Sequence, residues 1–317
     1  MQSRELVKAA LTFHTTPRIP DEFHDVAGVS YLYGKGRASG AAINTQGIRY
    51  DEWGTQWVAA EDGVSGEVRQ PLIDDWSKLE DYRPPYDVLE EADLRAVNGQ
   101  CAASDKFIIP MWNGVSYNLF ERMQWLRGTQ ELFMDLALGE PAVLRLRDMV
   151  HQYFMEQAAL WADTDVDGLH IADDWGTQTS LLLSPAMWRE VFRPCYKAYC
   201  DLAHAHGKFV VMHSDGYTLP ILDDLIDIGV DAINTQIFCM DIDQLAARYH
   251  HRLTFWGEID RQNILPFGSP EECRQAVHRV ADAFCAYGRT GLVGQAFWGK
   301  DIPEENLAAV YDAWYHY

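Results

Sequence analysis

From about residue 105 onward, short strand-like apolar runs alternate with stretches that carry helical periodicity or helix start signals. The six runs cover residues 106–112, 168–175, 208–215, 231–236, 252–260 and 291–298. A strand reaches a parallel neighbour only through a crossover connection, so this alternation predicts a parallel sheet covered by helices.

Helix boundary signals support the same organisation. Ser184, followed by a proline, predicts the start of a helix, and Gly207 predicts its end. Pro194 lies inside this segment and is expected to kink the helix or split it in two. Ser269 and Glu272 have the spacing of a capping box, which predicts the start of another helix.

Two architectures contain such a parallel sheet, the open doubly wound sheet and the closed barrel. The sequence has no Gly-rich phosphate turn after an early strand, which a doubly wound nucleotide-binding protein would normally show. Residues 18–60 are expected to supply the missing strands, with residues 18–20 as the first. We therefore predict an α/β fold with a single (β/α)8 TIM-type barrel over residues 1–317. Residues 1–105 would form the N-terminal helix, the first strands and insertions.

The composition restricts the possible partners. Of 317 residues, 48% are hydrophobic and 23% are charged, and the formal net charge is −21. Such an acidic chain argues against nucleic acid or an anionic membrane surface as a partner. The six cysteines form no C-x-x-C motif, and no apolar run approaches the roughly 20 residues needed to span a bilayer. Reduced thiols and a cytoplasmic location are therefore expected.

Polar, ionisable and tryptophan side chains stand where the apolar runs end, which in a barrel of this type is where the active site lies. They are Trp112, Asp173, Asp174, Trp175, His213, Asp215, Asn234, Gln236, Trp256, Glu258, Asp260, Gln295 and Trp298. The tryptophans would either cap the barrel core or contact a ligand, and Asp260 is expected to cap a helix.

His213 and Asp215 are two residues apart on one strand, so their side chains share a face, which should be the barrel mouth. As metal ligands they suit zinc or another first-row ion, with Glu258 and Asp174 available to complete the site. As an acid–base pair, the carboxylate would raise the proton affinity of the imidazole. Asp173 and Asp174 are neighbours on a strand, so only one of them can point into the barrel.

The chain resembles the uroporphyrinogen decarboxylase superfamily over most of its length. The resemblance is strongest in Asp173-Asp174-Trp175-Gly176-Thr177-Gln178, His206-Gly207-Lys208, His213-Ser214-Asp215-Gly216, Phe255-Trp256-Gly257-Glu258-Ile259-Asp260 and Pro303-Glu304-Glu305-Asn306. It implies a TIM barrel and one of two activities. Some members decarboxylate uroporphyrinogen without a cofactor, and others are zinc-dependent methyltransferases that work with a corrinoid protein. This sequence looks closer to the second branch.

The chain departs from both patterns of the superfamily. It lacks the arginine-rich substrate motif of the decarboxylases near its N-terminus. Asp215 stands where the methyltransferases carry a cysteine, and Ala296 stands where a later cysteine or histidine would be. A histidine and carboxylate site would be harder than a thiolate site and better suited to an oxygen ligand.

The resemblance implies a methyltransferase or demethylase acting on a small methylated compound, with a corrinoid protein as the methyl partner. His213 and Asp215 would hold a metal such as zinc, Glu258 would be a third ligand or a base, and Asp174 would orient the substrate. Substrate contacts are expected from Trp112, Trp175, Gln178, Gln236, Trp256, Gln295 and Trp298. The alternatives are a metal-free decarboxylase that uses its carboxylates and a non-catalytic binding barrel; a homodimer is also expected, as is common in the family.

Overall fold

The fold is described from a computed structural model, which covers residues 1–31, 48–58, 66–110, 116–297 and 299–317. The strands in chain order are β1 (Val26–Ala27), β2 (Ile48–Tyr50), β3 (Gln56–Val58), β4 (Glu67–Gln70), β5 (Phe107–Ile108), β6 (Gly168–Ala172), β7 (Phe209–Ser214), β8 (Ala232–Thr235), β9 (Thr254–Gly257) and β10 (Leu292–Gly294). The helices in chain order are α1 (Ser3–Leu11), α2 (Glu22–Asp25), α3 (Tyr86–Glu90), α4 (Val97–Ala103), α5 (Leu119–Arg127), α6 (Thr129–Leu138), α7 (Pro141–Ala162), α8 (Pro185–Val191), α9 (Arg193–Ala205), α10 (Leu222–Ile228), α11 (Ile242–Tyr249), α12 (Ile264–Phe267), α13 (Pro270–Cys285) and α14 (Glu304–His316).

Within the described residues, the parallel strands form a closed ring. β6 to β10 pair in sequence order as one parallel sheet, and β1 pairs in parallel with β5. The amide of Asp167 donates to the carbonyl of Ile108 at 2.7 Å and joins β5 to β6, while the amide of Gly294 donates to the carbonyl of Pro20 at 2.8 Å and joins β10 to the segment before β1. The predicted α/β barrel is confirmed, and each barrel strand from β5 to β10 lies inside one of the six predicted runs.

Side-chain alternation divides the core into two clusters. Val211 of β7 and Trp256 of β9 point into the barrel, where they pack with residues of α1 such as Val7. Met212 and Phe255, one position along on the same strands, point outward into the larger cluster between strands and helices. The carbonyl of Ala10 at the end of α1 accepts the amide of Gly291 at 3.2 Å, so α1 covers the amino-terminal end of the barrel.

Aspartates placed just before β6 and β8 strengthen the ring. Asp167 accepts the amide of Ile108 at 2.8 Å through its side chain, and Asp231 accepts the amide of Val210 at 2.7 Å in the same way. Asp167 also binds Lys8 of α1 at 2.8 Å and is almost completely buried. In each case a carboxylate holds a neighbouring strand in register where the backbone ladder begins.

The described part of residues 18–60, which is 18–31 and 48–58, contributes less to the barrel than the sequence predicts. Within these two ranges, only β1 and the bridging residues Pro20 and Asp21 join the ring. β2 and β3 form a separate antiparallel sheet with β4, and residues 51–55, which link β2 to β3, are too few to form a crossover helix. None of the described helices combines the length and the apolar composition needed to cross a bilayer.

The predicted helix boundaries are confirmed. Ser184 caps α8 by accepting the amide of Met187. The segment is split at Phe192 into α8 and α9, with Pro194 in the first turn of α9. Ser269 and Glu272 form the reciprocal capping box at the start of α13.

We expect Asp167→Ala to lower the free energy of unfolding by about 2–4 kcal/mol. The substitution leaves the buried amide of Ile108 without its side-chain acceptor and removes the carboxylate that binds Lys8. Chemical denaturation monitored by circular dichroism measures the change. Asp165→Ala, at an exposed position two residues earlier, is the control and should change stability by no more than about 0.5 kcal/mol. Equal stability of the two variants would contradict this role for Asp167.

Candidate functional site

Three ionisable side chains converge at the mouth of the barrel. His213 at the end of β7 places its Nε2 atom 3.3 Å from Oδ1 of Asp215 and 3.5 Å from Oδ1 of Asp174. One ligand atom of each residue lies within 4.8 Å of the other two. Asp174 Oδ1 also accepts the amide of Asp215 at 2.9 Å, which fixes the two carboxylates relative to each other. We call these three residues the mouth cluster.

The neighbouring strand fixes the orientation of the His213 ring. Asn234 of β8 donates from Nδ2 to the carbonyl of Trp256 at 2.8 Å, so its Oδ1 atom faces Nδ1 of His213 at 2.5 Å. Because a carbonyl oxygen can only accept, Nδ1 carries the proton. When the imidazole is neutral, the lone pair is therefore on Nε2, toward the two carboxylates.

The carboxylates control the charge of His213. Burial disfavours the imidazolium, but Asp215 and Asp174 outweigh it and raise the pKa of His213 to about 9. Burial would raise the pKa of Asp215, yet His213 and Arg261 hold it below the ordinary value. Arg261 binds Asp215 directly and places Nε 3.5 Å from Oε1 of Glu258. Without a metal, the cluster thus holds a cationic histidine beside an ionised Asp215.

Further carboxyl groups around the mouth hold protons. Burial raises the pKa of Glu258 to about 7. Burial and the charge of Asp174 raise the pKa of Glu121 to about 9. Glu22 of α2 accepts Nε1–H of Trp256 at 2.8 Å inside the barrel, and burial raises its pKa to about 8. Several carboxyl groups can lie close together here because some of them are protonated and therefore neutral.

Two cavities flank the mouth cluster. The first has a volume of about 260 Å³. Its lining includes Gln178, Gln236, Cys239, Glu258, Asp260 and Arg261. The second has a volume of about 560 Å³ and lies against the antiparallel sheet. Its lining includes Trp53, Trp57, Trp125, Arg122, Ser116, Glu121 and Ala172.

The mouth cluster has the donor set of a divalent metal site. An imidazole and two carboxylates suit zinc and other first-row ions, and Asn234 supplies the outer hydrogen bond that metal-bound histidines normally make. Oδ1 of Asp215 is buried and accepts no hydrogen bond of good geometry among the described residues, although Nε2 of His213 lies 3.3 Å away. Such an oxygen fits a ligand position. Glu258, the third ligand expected from the sequence, lies against Arg261 and is not part of the three-residue group.

A family model described as uroporphyrinogen decarboxylase (URO-D) matches residues 121–314. The chain belongs to this family. A comparison with curated proteins finds no match.

Two solved structures are similar to this chain to different degrees. A methyltransferase from Methanosarcina mazei superposes with a TM-score of 0.75 at 13% identity, over 100% of this chain and 99% of that one. An endo-β-1,4-xylanase of glycoside hydrolase family 10 from Gloeophyllum trabeum reaches a TM-score of 0.40 at 12% identity, over 69% of this chain and 79% of that one. At these identities the first likeness shows the fold alone.

The residues predicted to contact a substrate lie in different environments. Gln236 and Gln178 line the first cavity, with Gln178 exposed at its edge. Gln295 is buried, and its Oε1 atom has no hydrogen-bond partner among the described residues. Trp112 and Trp298 lie outside the described residues.

Trp175 and Trp256, also predicted to contact a substrate, line neither of the two cavities. Trp175 stacks on Phe120 with ring centroids 4.3 Å apart in the cluster outside the barrel. It shares strand parity with Asp173, which also points outward and accepts the amides of Phe120 and Glu121. Trp256 is inside the barrel, is 1% exposed, and packs in the cluster beside α1. Both rings serve the core, one of the two roles that the sequence left open.

Sequence reasoning missed four ionisable residues near the mouth. Glu22 and Glu121 come from helices, and Arg261 comes from the turn after β9, so a search of strand ends alone does not find them. His170 lies within β6, an even number of residues before Asp174, so both side chains point into the barrel. It contacts Ser116 through Nδ1 at 2.8 Å. Burial lowers its pKa to about 3. Of these four residues, only His170 could have been found from the sequence, because its spacing from Asp174 puts both on the same face of the strand.

In the metal-free protein, we expect Asp215→Asn to lower the pKa of His213 by about one unit or more. Removing the carboxylate removes the charge that favours the imidazolium, so the imidazole loses its proton at lower pH. A nuclear magnetic resonance titration of the histidine ring signals measures the shift from the starting value of about 9. Asp163→Asn, beside the surface residue His206, is the control and should leave the His213 titration in place. An unchanged His213 titration in Asp215→Asn would contradict the pairing.

Proposed function

We propose that this URO-D family chain is an enzyme that removes a methyl group from a small methylated compound and passes it to a corrinoid protein. The observation that carries the proposal is the mouth cluster, in which an oriented Nε2 atom of His213 faces the carboxylates of Asp174 and Asp215. A metal ion held there by the three residues would act as a Lewis acid on the substrate heteroatom.

The chain's own residues supply the remaining chemistry. The bond between the methyl carbon and its oxygen or nitrogen breaks, the electron pair stays on the heteroatom, and the methyl group goes to the reduced corrinoid of the partner. The heteroatom then needs a proton. Glu258 holds one near neutral pH, since burial raises its pKa to about 7. Arg261 keeps Glu258 beside Asp215 and thus beside the leaving atom.

The charge at the mouth favours this activity over decarboxylation of a porphyrinogen. A substrate with eight carboxylates needs several cations. Among the described residues that line the first cavity, Arg261 is the cation, and it already binds Asp215. The same lining contains Asp260, which would repel such a substrate.

The test is methyl transfer to free cob(I)alamin from a panel of methoxylated and N-methylated compounds, with zinc supplied. We expect methylcobalamin to form with at least one of the compounds, measured by its absorption spectrum. His213→Ala should lower the rate at least about 100-fold, because it removes the central donor of the cluster.

The matched control is His206→Ala, which removes another histidine paired with an aspartate, at the protein surface 3.4 Å from Asp163. Its rate should equal that of the unmodified protein. No transfer from any compound, or equal rates in the two histidine variants, would argue against the proposal. Release of carbon dioxide from uroporphyrinogen would replace it with the decarboxylase alternative.

A further inference from the structure

The second cavity is walled by tryptophan rings that the three-stranded sheet brings to the barrel. Trp57 belongs to β3, Trp53 to the turn before β3, and Trp125 to α5. We call this space the tryptophan cavity. Its volume is about 560 Å³, whereas a cavity of about 150 Å³ already accommodates benzene. A substituted aromatic ring therefore fits inside with room for its substituents.

The rings around the tryptophan cavity are held in fixed positions. Trp57 and Trp125 meet edge to face with centroids 4.8 Å apart. The guanidinium of Arg122 lies 4.7 Å from the ring centre of Trp53 and 4.6 Å from that of Trp125. The walls are thus preorganised flat surfaces, which lowers the entropic cost of binding a flat molecule.

The charges that line the cavity balance. Arg122 is almost completely buried and binds Asp51 at 2.6 Å, with Glu52 at 4.0 Å. Arg49 lies over the ring of Trp57 at 4.9 Å. Among the described residues that line the cavity, these two arginines and two acids leave no net charge, and burial together with the charge of Asp174 raises the pKa of Glu121 to about 9.

Strand pairing places one residue of the cavity lining beside the mouth cluster. Ala172 lines the cavity and is the direct register partner of His213 in the parallel pair of β6 and β7. Ser116 also lines it and binds His170, the inward-facing histidine of the same strand. A small alanine side chain at this point leaves the cavity and the cluster adjacent.

We propose that the tryptophan cavity binds the substrate's aromatic part, an uncharged flat ring whose methylated oxygen points past Ala172 toward the mouth cluster. The identity of the reacting group in this inference rests on the proposed function. The binding of the ring does not.

The cavity disfavours charged ligands of either sign. A quaternary ammonium group would be repelled by the guanidiniums of Arg122 and Arg49, which already lie over the tryptophan rings, whereas a neutral ring can pack on both guanidinium and tryptophan planes. A carboxylate ligand needs a cation that is not already neutralised, whereas Arg122 is bound by Asp51. An uncharged aromatic ether meets neither obstacle.

The test is calorimetric titration of the full chain, freed of metal with a chelator, with three probes of different charge. They are 4-methoxyphenol, 4-methoxybenzoate and tetramethylammonium. We expect saturable 1:1 binding of 4-methoxyphenol and at least about tenfold weaker binding of the other two. Trp125→Ala should weaken binding of 4-methoxyphenol at least about tenfold through loss of a wall, while Trp125→Phe, which keeps an aromatic face, should retain most of the affinity.

The matched control is Trp76→Ala, because Trp76 also stacks with an arginine, Arg127, at 4.6 Å but does not line the cavity. It should bind 4-methoxyphenol like the unmodified protein, and circular dichroism checks that each variant is folded. No saturable binding of 4-methoxyphenol, tighter binding of either charged probe, or equal losses in Trp125→Ala and Trp76→Ala would overturn the inference. Since the titration involves no metal and no methyl transfer, failure of the transfer assay alone leaves this result intact.

Discussion

The hydrogen bond between Asn234 and His213 connects the fold to the chemistry of this chain. Asn234 is held by the carbonyl of Trp256 on the next strand, so three neighbouring strands of the barrel together decide which imidazole nitrogen faces the carboxylates. The bond exists only because parallel pairing of β7 with β8 puts His213 opposite Asn234. A shift of β8 by one residue would turn Asn234 out of the barrel and break this bond.

The concentration of acids at the mouth is costly unless protons or cations compensate for it. The described residues supply both. Arg261 and the protonated His213 lie beside Asp215, and burial leaves Glu121 and Glu258 partly or wholly neutral. A divalent metal would replace the proton on His213 and take over its role of neutralising Asp174 and Asp215. The same residues are therefore consistent with either state of the site.

The barrel and the main residues of its mouth were predictable because both follow from repeating patterns in the sequence. A run of alternating strands and helices demands crossovers, and a spacing of two on a strand demands a shared face, so His213 and Asp215 could be placed from sequence. The spacing of two also puts Trp175 on the outer face of the barrel with Asp173. Its position after an apolar run had instead suggested a substrate contact. Glu121 and Arg261 could not be found in this way, because a helix start and a turn reach the mouth only through tertiary packing. The antiparallel sheet was equally hidden, since residues 48–58 show strand-like patterning without indicating which sheet they join.

The position of the cluster between two cavities bears on the kind of reaction. Arg261, which lines the first cavity, binds Asp215, and Ala172, which lines the tryptophan cavity, is the register partner of His213. Decarboxylation involves one substrate and needs one cavity, whereas group transfer brings two reactants to one point from different directions. The hard donor set of His213 with two carboxylates, in place of thiolates, favours oxygen at that point. Both features support the proposed transfer from an oxygen-bound group, with the aromatic wall on one side and the open mouth on the other.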